Sequence, residues 1–244
     1  MFKQYLYFLK ESFKNIFCYP RETLTFSNEE NYDTYWSEKR GKNIGSLSSW
    51  QQERADLIVS VFLKNSQPLV FADIGCGDGS ILNYINEHVP QVQKTIGYDN
   101  SDFALSRAKE FGVECHMIDI SKKEEYSKFE TADYYLLLEI LEHVPHSEFL
   151  LLKALDISRK GVFLSFPNTG YIRHRVRMMF GKFPLQWRIL PNEHVRFWTY
   201  SDLKWWLKAL KIDDYKIYCY QGVPILNKIL PSLFSAGFLV YIKK

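Results

Sequence analysis

An α/β fold with a mostly parallel sheet covered by helices on both faces is what this sequence predicts, and three observations predict it. From residue 69 onward, short apolar runs alternate with stretches of helical spacing. Such alternation with short links marks a parallel sheet with crossover helices. The first run, Leu69 to Ile74, passes at once into a glycine-rich turn and then into the helical pattern Ile81, Leu82, Tyr84, Ile85. A second run ends in Gly97-Tyr98-Asp99, which puts a carboxylate at the tip of the neighbouring strand, placed to accept from the hydroxyls of a ribose.

Taken in order, residues 1–18 read as a helix, 20–48 as a polar, turn-rich connector, and Trp50 to Leu63 as a helix. Strands are expected at 69–74, 93–98, 113–118, 133–138 and 161–166, with helices near 80–88, 101–111 and 146–155. Residues 171–198 break the pattern: they are basic, aromatic and irregular. A helix resumes at Ser201 to Leu210, and two more strands, 214–220 and 236–243, flank a proline-containing loop. One domain is expected: a cap or lid (1–66), a cofactor-binding core (67–166), an insertion on the substrate side (167–198) and a C-terminal helix and strands (199–244).

Composition sets bounds. The apolar fraction of 46% supports a large core, and the aromatic share of 16% is high enough that some rings should line a cleft. A net charge of +3 makes no case for nucleic acid. Cys18, Cys76, Cys115 and Cys219 form no C-x-x-C pair, so no zinc spacing or disulfide framework is expected, and free thiols suit a reducing compartment. Met1 to Pro20 carries Lys3, Lys10, Glu11 and Lys14, a poor pattern for a signal peptide. No uncharged apolar run is long enough to span a bilayer. Residues 1–18 keep two readings, a helix packed on the domain or an amphipathic helix in peripheral contact with a membrane.

The glycine spacing selects the ligand. Asp73-Ile-Gly75-Cys76-Gly77-Asp-Gly79 has the form acid-x-G-x-G-x-G, whereas a dinucleotide fingerprint is G-x-G-x-x-G. An acid inside the turn repels a pyrophosphate and suits a ligand bearing an ammonium. This stretch resembles motif I of the class I S-adenosylmethionine-dependent methyltransferases. The resemblance implies a Rossmann-like, seven-stranded, mostly parallel sheet and S-adenosylmethionine as cofactor, with S-adenosylhomocysteine as product. It places Asp73, Gly75, Cys76, Gly77 and Gly79 along the cofactor, with Asp73 facing its ammonium directly or through water. Asp99 and Asn100 would hold the ribose. In Cys115-His-Met-Ile-Asp119-Ile120, Asp119 would meet the adenine amino group and the Ile120 N–H a ring nitrogen, unless Asp119 caps the turn that follows. Glu139-Ile-Leu-Glu142-His143-Val resembles the family's E-x-L-E-H-V segment. Glu139 is then a cofactor contact, and His143 either a general base or a histidine that fixes a helix start.

The substrate side rests on 171–196, which holds six Lys/Arg against Glu193, while the rest of the chain sums to −2. Ser165-Phe-Pro-Asn-Thr-Gly, the arginine-rich stretch and Asn192-Glu-His194-Val-Arg196-Phe-Trp-Thr resemble the MetW-like branch, over residues 68–243. Tyr32-Asp-Thr-Tyr-Trp36 resembles a leader found in methyltransferases of surface-polysaccharide pathways, where it closes over the cofactor. Arg173 and Arg177 share a helix face. With Arg196, and with Tyr32 and Trp36, they are the expected substrate contacts; a solvated helix is the other reading of the arginines. An anionic small molecule is implied, such as a nucleotide-linked sugar or a phosphate-type group, in capsule or lipopolysaccharide synthesis in the cytoplasm. His194 is the first candidate for a base or substrate contact and His143 the second. No acidic triad is visible in the linear sequence, so metal-independent transfer is expected, with no metal ligands. Two other readings stay open: a MetW-like non-catalytic or regulatory partner of a methionine-biosynthesis acyltransferase, and an RNA or protein methyltransferase. Against methylation of a base amino group stands the absence of an Asn/Asp-Pro-Pro-Tyr/Phe motif after the fourth strand.

Overall fold

The computed structural model describes residues 32–39, 45–62, 67–184, 186 and 194–244. The helix expected over 1–18 and most of the connector lie outside these residues. Seven strands, β1 (Leu69–Ile74), β2 (Val92–Asp99), β3 (Glu114–Met117), β4 (Ala132–Leu138), β5 (Ser158–Pro167), β6 (Tyr215–Gly222) and β7 (Ser235–Lys243), form one sheet in the order β3-β2-β1-β4-β5-β7-β6. β1 to β5 are parallel; β7 runs antiparallel to both β5 and β6. This is the Rossmann-like arrangement expected of a class I methyltransferase.

Strand alternation explains how the sheet is covered on both sides. From β4 and β5, Tyr135, Leu137, Val162 and Leu164 pack with one buried cluster, and Tyr134, Leu136, Leu138 and Phe163 with another. The first cluster takes in Leu150, Leu151 and Ala154 of helix Ser147–Ile157 and Leu203, Trp206 and Leu207 of helix Tyr200–Ala209. The second is closed by helices α1 (Ser49–Phe62), α2 (Ser80–His88) and α3 (Asp102–Glu110) through Ile58, Phe62, Ile81, Leu82, Ile85, Leu105 and Ala108. The remaining longer helices are α4 (Ser147–Ile157), α5 (Ile172–Met179) and α6 (Tyr200–Ala209). Every residue of β4 is buried, as a central parallel strand covered on both faces requires.

Chain reversal beside β1 fixes where a ligand can enter. β1 pairs with β2 on one side and β4 on the other, with Asp73 opposite Gly97 and Leu136. Successive units lead away from β1 in opposite directions, so a crevice opens between loops at the carboxyl ends of β1 and β4. Helix entries on this side are locally specified. Ser101 caps α3 by accepting from the Ala104 N–H at 3.1 Å, and Thr199 and Asp202 form a reciprocal capping box at α6.

Candidate active site

The glycine turn after β1 is held by backbone that only glycine adopts readily. Gly75, Gly77 and Gly79 all have positive φ, at 77°, 54° and 73°. A Cβ on Gly77 would lie 2.4 Å from the Trp36 ring, and one on Gly79 would lie 2.9 Å from the Ala108 Cα of α3. The first glycine-to-ring contact keeps a bare backbone face inside the crevice; the second lets α3 pack close. Cys76 is buried and packs into the core.

Two carboxylates frame this turn. Asp73 is 3% exposed, and its Oδ1 accepts no hydrogen bond. Burial, and then the charge of Asp99, push its pKa well above the usual carboxylate range, with Arg54 acting against them. Asp99 accepts from the Gly77 N–H at 2.8 Å and from the Ser101 N–H at 3.0 Å. Burial raises its carboxyl too, while those donors and the Asn100 N–H restrain the rise. Asn100 itself is exposed.

A leader segment covers the turn. Tyr32–Thr34 and Tyr35–Lys39 are helical, and Asp33 accepts from the Phe103 N–H at 3.0 Å and from the Ser101 hydroxyl. Asp33 thus satisfies a free donor at the start of α3, and Trp36 reaches Gly77. The Tyr32 side chain lies outside the described part.

Past β4 the chain makes a strained turn. Glu139 has φ 56°, a conformation that costs a non-glycine residue of order 1–3 kcal/mol. A buried network holds it. Glu139 Oε1 pairs with Arg54 at 3.0 Å and accepts from the Tyr220 hydroxyl at 2.7 Å and the Ser165 hydroxyl at 3.2 Å. Arg54 also donates to the Ser165 oxygen at 3.0 Å. Arg54 and Tyr220 escaped the sequence reading, and Ser165 entered it only as the first residue of a motif, with no role. A signal for Arg54 existed: it lies on the buried stripe of α1 with Ile58 and Phe62, where an unpaired arginine is not tolerated.

Glu142 and His143 follow in a 3₁₀ turn, Leu141–His143. The Glu142 carbonyl accepts from the Val195 and Arg196 N–H groups at 2.9 and 3.2 Å, which pins the segment carrying His194 onto this turn. The His143 and His194 rings meet edge to face with centroids 4.7 Å apart. The two histidines singled out from the sequence are therefore brought together. Glu142 is 1% exposed, and neither of its carboxylate oxygens accepts a hydrogen bond. Burial and then Glu139 push its pKa well up, against Arg54.

Arg173 and Arg177 lie one turn apart on α5, and both act electrostatically on His174. Arg177 is 1% exposed and donates from Nε to the Phe183 carbonyl at 2.6 Å, which ties off the turn after α5. α5 turns Arg177 inward and leaves Met178 and Met179 exposed. Arg173 is half-buried, its guanidinium 5.7 Å from the Tyr171 ring centre. Arg196 pairs with Glu148, which also accepts from the Trp206 indole at 2.8 Å, and donates to the Pro145 carbonyl at 3.2 Å. Asp119 accepts from the Ser121 N–H and hydroxyl at 3.0 and 2.6 Å and pairs with Lys122 at 3.1 Å. This local turn uses Asp119 Oδ1, while the following 3₁₀ helix has Lys122 at its cap position with no side-chain cap bond. The half-buried Ile120 accepts at its carbonyl from the Tyr126 hydroxyl at 2.6 Å.

The crevice fits a cationic, hydroxyl-bearing ligand on its own geometry. An orphaned buried carboxylate oxygen, a glycine face without side chains and a strand-tip acid lie side by side, and Arg54 is the cation set against Asp73, Glu139 and Glu142. The chain belongs to the methyltransferase-domain family, whose model matches residues 47–211, from α1 through α6. It is a methyltransferase, and its cofactor is S-adenosylmethionine. No curated protein sequence matches it.

Solved structures share the fold. A SAM-dependent methyltransferase from Archaeoglobus fulgidus is 16% identical with a TM-score of 0.58, over 88% of this chain and 100% of that one. The plantazolicin methyltransferase BpumL in complex with S-adenosylhomocysteine is 18% identical with a TM-score of 0.59, over 89% and 91%. The small RNA methyltransferase HEN1 is 20% identical with a TM-score of 0.58 over 79% of this chain, which spans 25% of the HEN1 chain.

Proposed function

We propose that this chain moves a methyl group from S-adenosylmethionine to an oxygen of an anionic small molecule, such as a nucleotide-linked sugar or phosphate-type group used in surface-polysaccharide synthesis. The observation that carries the methyl-transfer reading is the buried, unpartnered Asp73 carboxylate beside the Gly77 turn and Asp99. The anionic acceptor is supported by the positive balance of 171–196, with the half-buried Arg173 as the contact at the mouth. Arg177 and Arg196 serve the fold instead, since both guanidinium groups are engaged with neighbouring protein groups.

The residues divide the work. Asp73 receives the ammonium and Asp99 the ribose hydroxyls, for which its carboxylate exchanges the Gly77 and Ser101 donors. Asp119 and Ile120 border the adenine. Glu139, fixed by Arg54 and Tyr220, shapes the wall beside the methionine end. Trp36 covers the turn and keeps water out of the crevice. When bound, the cofactor supplies a methyl on a sulfonium, open to in-line displacement. The protein then has to align the acceptor oxygen and deal with its proton. His194 and His143 stand past the β4 tip, where the acceptor would lie. Residues 1–66 act as lid and 167–198 as the substrate side of one domain. Among the described residues no helix is long and apolar enough to cross a membrane, and cytoplasmic precursors are the substrates this reading favours.

His194→Ala tests it. Turnover should fall by about 100-fold or more, the range for losing a proton-handling or substrate-aligning group, while cofactor affinity stays nearly unchanged. Equal loss of both would count against a role for His194 on the acceptor side.

A further inference from the structure

Glu142, His143 and His194 each offer a ligand atom, and these atoms lie within 4.8 Å of one another. Nothing in the linear sequence announces this group, because His194 arrives from the far side of the basic insertion. Backbone hydrogen bonds from Val195 and Arg196 to the Glu142 carbonyl bring it there. We infer that these three side chains form a binding site for a divalent transition-metal ion at the acceptor side of the crevice. This inference deepens the methyl-transfer reading and rests on it for the ion's role, though not for the ion's binding.

Three observations carry it. Two imidazoles and one carboxylate are a donor set that suits Mn²⁺, Fe²⁺, Co²⁺ or Zn²⁺ and leaves coordination positions open for water or substrate. Donors sharing one such ion stand about 3–3.5 Å apart, so the group needs only small side-chain rotations to close on it. Glu142 is 1% exposed with both carboxylate oxygens unpartnered, an arrangement a buried carboxylate tolerates only when it holds a proton or when a cation meets it. The surroundings are also short of positive charge. Arg54 already pairs with Glu139, leaving Glu142 beside that second acid. A dication supplies the missing charge.

A second cluster makes the contrast. Glu114, His116 and Glu130 also converge, but Lys94 sits among them at 3.0 Å from Glu114 and 3.2 Å from Glu130, and the carboxylates are solvent-exposed. A lysine occupies the place of a cation there, so this cluster serves as an internal control.

At the first site the ion's chemistry follows from position. Held just past β4, it can take an acceptor hydroxyl or phosphate oxygen into an open position and lower its pKa. The acceptor proton then passes to water, so this site offers an alternative to a histidine base and to the metal-free transfer expected from the sequence. His143 and His194 then hold the ion rather than the proton.

Binding of Mn²⁺ to the full chain, read by electron paramagnetic resonance and calorimetry, tests this without any turnover. One ion per chain should bind. Glu142→Gln and His194→Ala should each weaken it at least tenfold with the far-ultraviolet circular dichroism unchanged, and His116→Ala should leave it as it was. Zn²⁺ should compete for the same site. Absence of stoichiometric binding, or binding lost in His116→Ala but kept in both other variants, would overturn the proposal. S-adenosylmethionine titrated into the same samples separates the two readings. Cofactor binding without Mn²⁺ binding removes the metal and keeps the methyltransferase crevice; Mn²⁺ binding without cofactor binding does the reverse.

Discussion

Asp73 shows how much one side chain can state about a ligand. A carboxylate this buried, with an oxygen that accepts nothing, is stable only if its charge is suppressed or met from outside. Its raised pKa reflects the first condition, and the ammonium we propose at this place would meet the second. Arg54 is the counterweight for the neighbouring acids. Arg54→Met leaves Glu139 without its cation and should lower unfolding free energy by about 3 kcal/mol, as when one partner of a buried pair is removed; chemical denaturation reads it. Gly77→Ala drives a Cβ into the Trp36 ring at a φ of 54°. Cofactor affinity should drop at least tenfold in calorimetry, with little change in far-ultraviolet circular dichroism. His174 on α5 gives a pH signature. Burial, then Arg173 and Arg177, lower its pKa from 6.5 to about 4. The folded state therefore refuses a proton the unfolded chain accepts, so its contribution to stability is present above pH 6.5 and is lost as pH falls toward 4. Replacing it with glutamine should flatten the stability-against-pH curve in that window.

Whole elements were the most legible level. Strand positions follow from apolar runs, and β1, β2, β4 and β7 fall within a residue or so of the expected bounds. β5 begins earlier, at Ser158, because Ser158 pairs with Ala132 of β4 across a register shift, so polar residues are drafted into the strand by its neighbour. Such recruitment by partners carries no local apolar signal. The burial of Arg177 on α5 was not legible for a related reason. A run of arginines at helical spacing says which residues share a face, not which face the tertiary structure buries. The start of α6 was readable from Thr199 and Asp202, and removing that cap by Thr199→Ala should lower stability by about 1 kcal/mol, measured by thermal or urea unfolding.

At the scale of the whole molecule, the site is assembled from pieces that differ in how visible they are in sequence. The motif-borne half, Asp73 with its glycines and Asp99, sits on adjacent strand ends, so its geometry follows once the strands are paired. The half we propose for the acceptor is long-range. Arg54 reaches it from α1, Tyr220 from β6 and His194 from the end of the insertion. No spacing rule links these residues, and only the fold brings them within 5 Å of Glu139 or Glu142. Cofactor binding therefore tests the central claim most directly, since it asks whether the crevice between β1 and β4 works as assembled. The measurement is calorimetric titration of the full chain with S-adenosylmethionine, beside Asp99→Ala. The account predicts micromolar binding at one site per chain, abolished by the substitution. Failure of the unmodified protein to bind, or undiminished binding by Asp99→Ala, would contradict it.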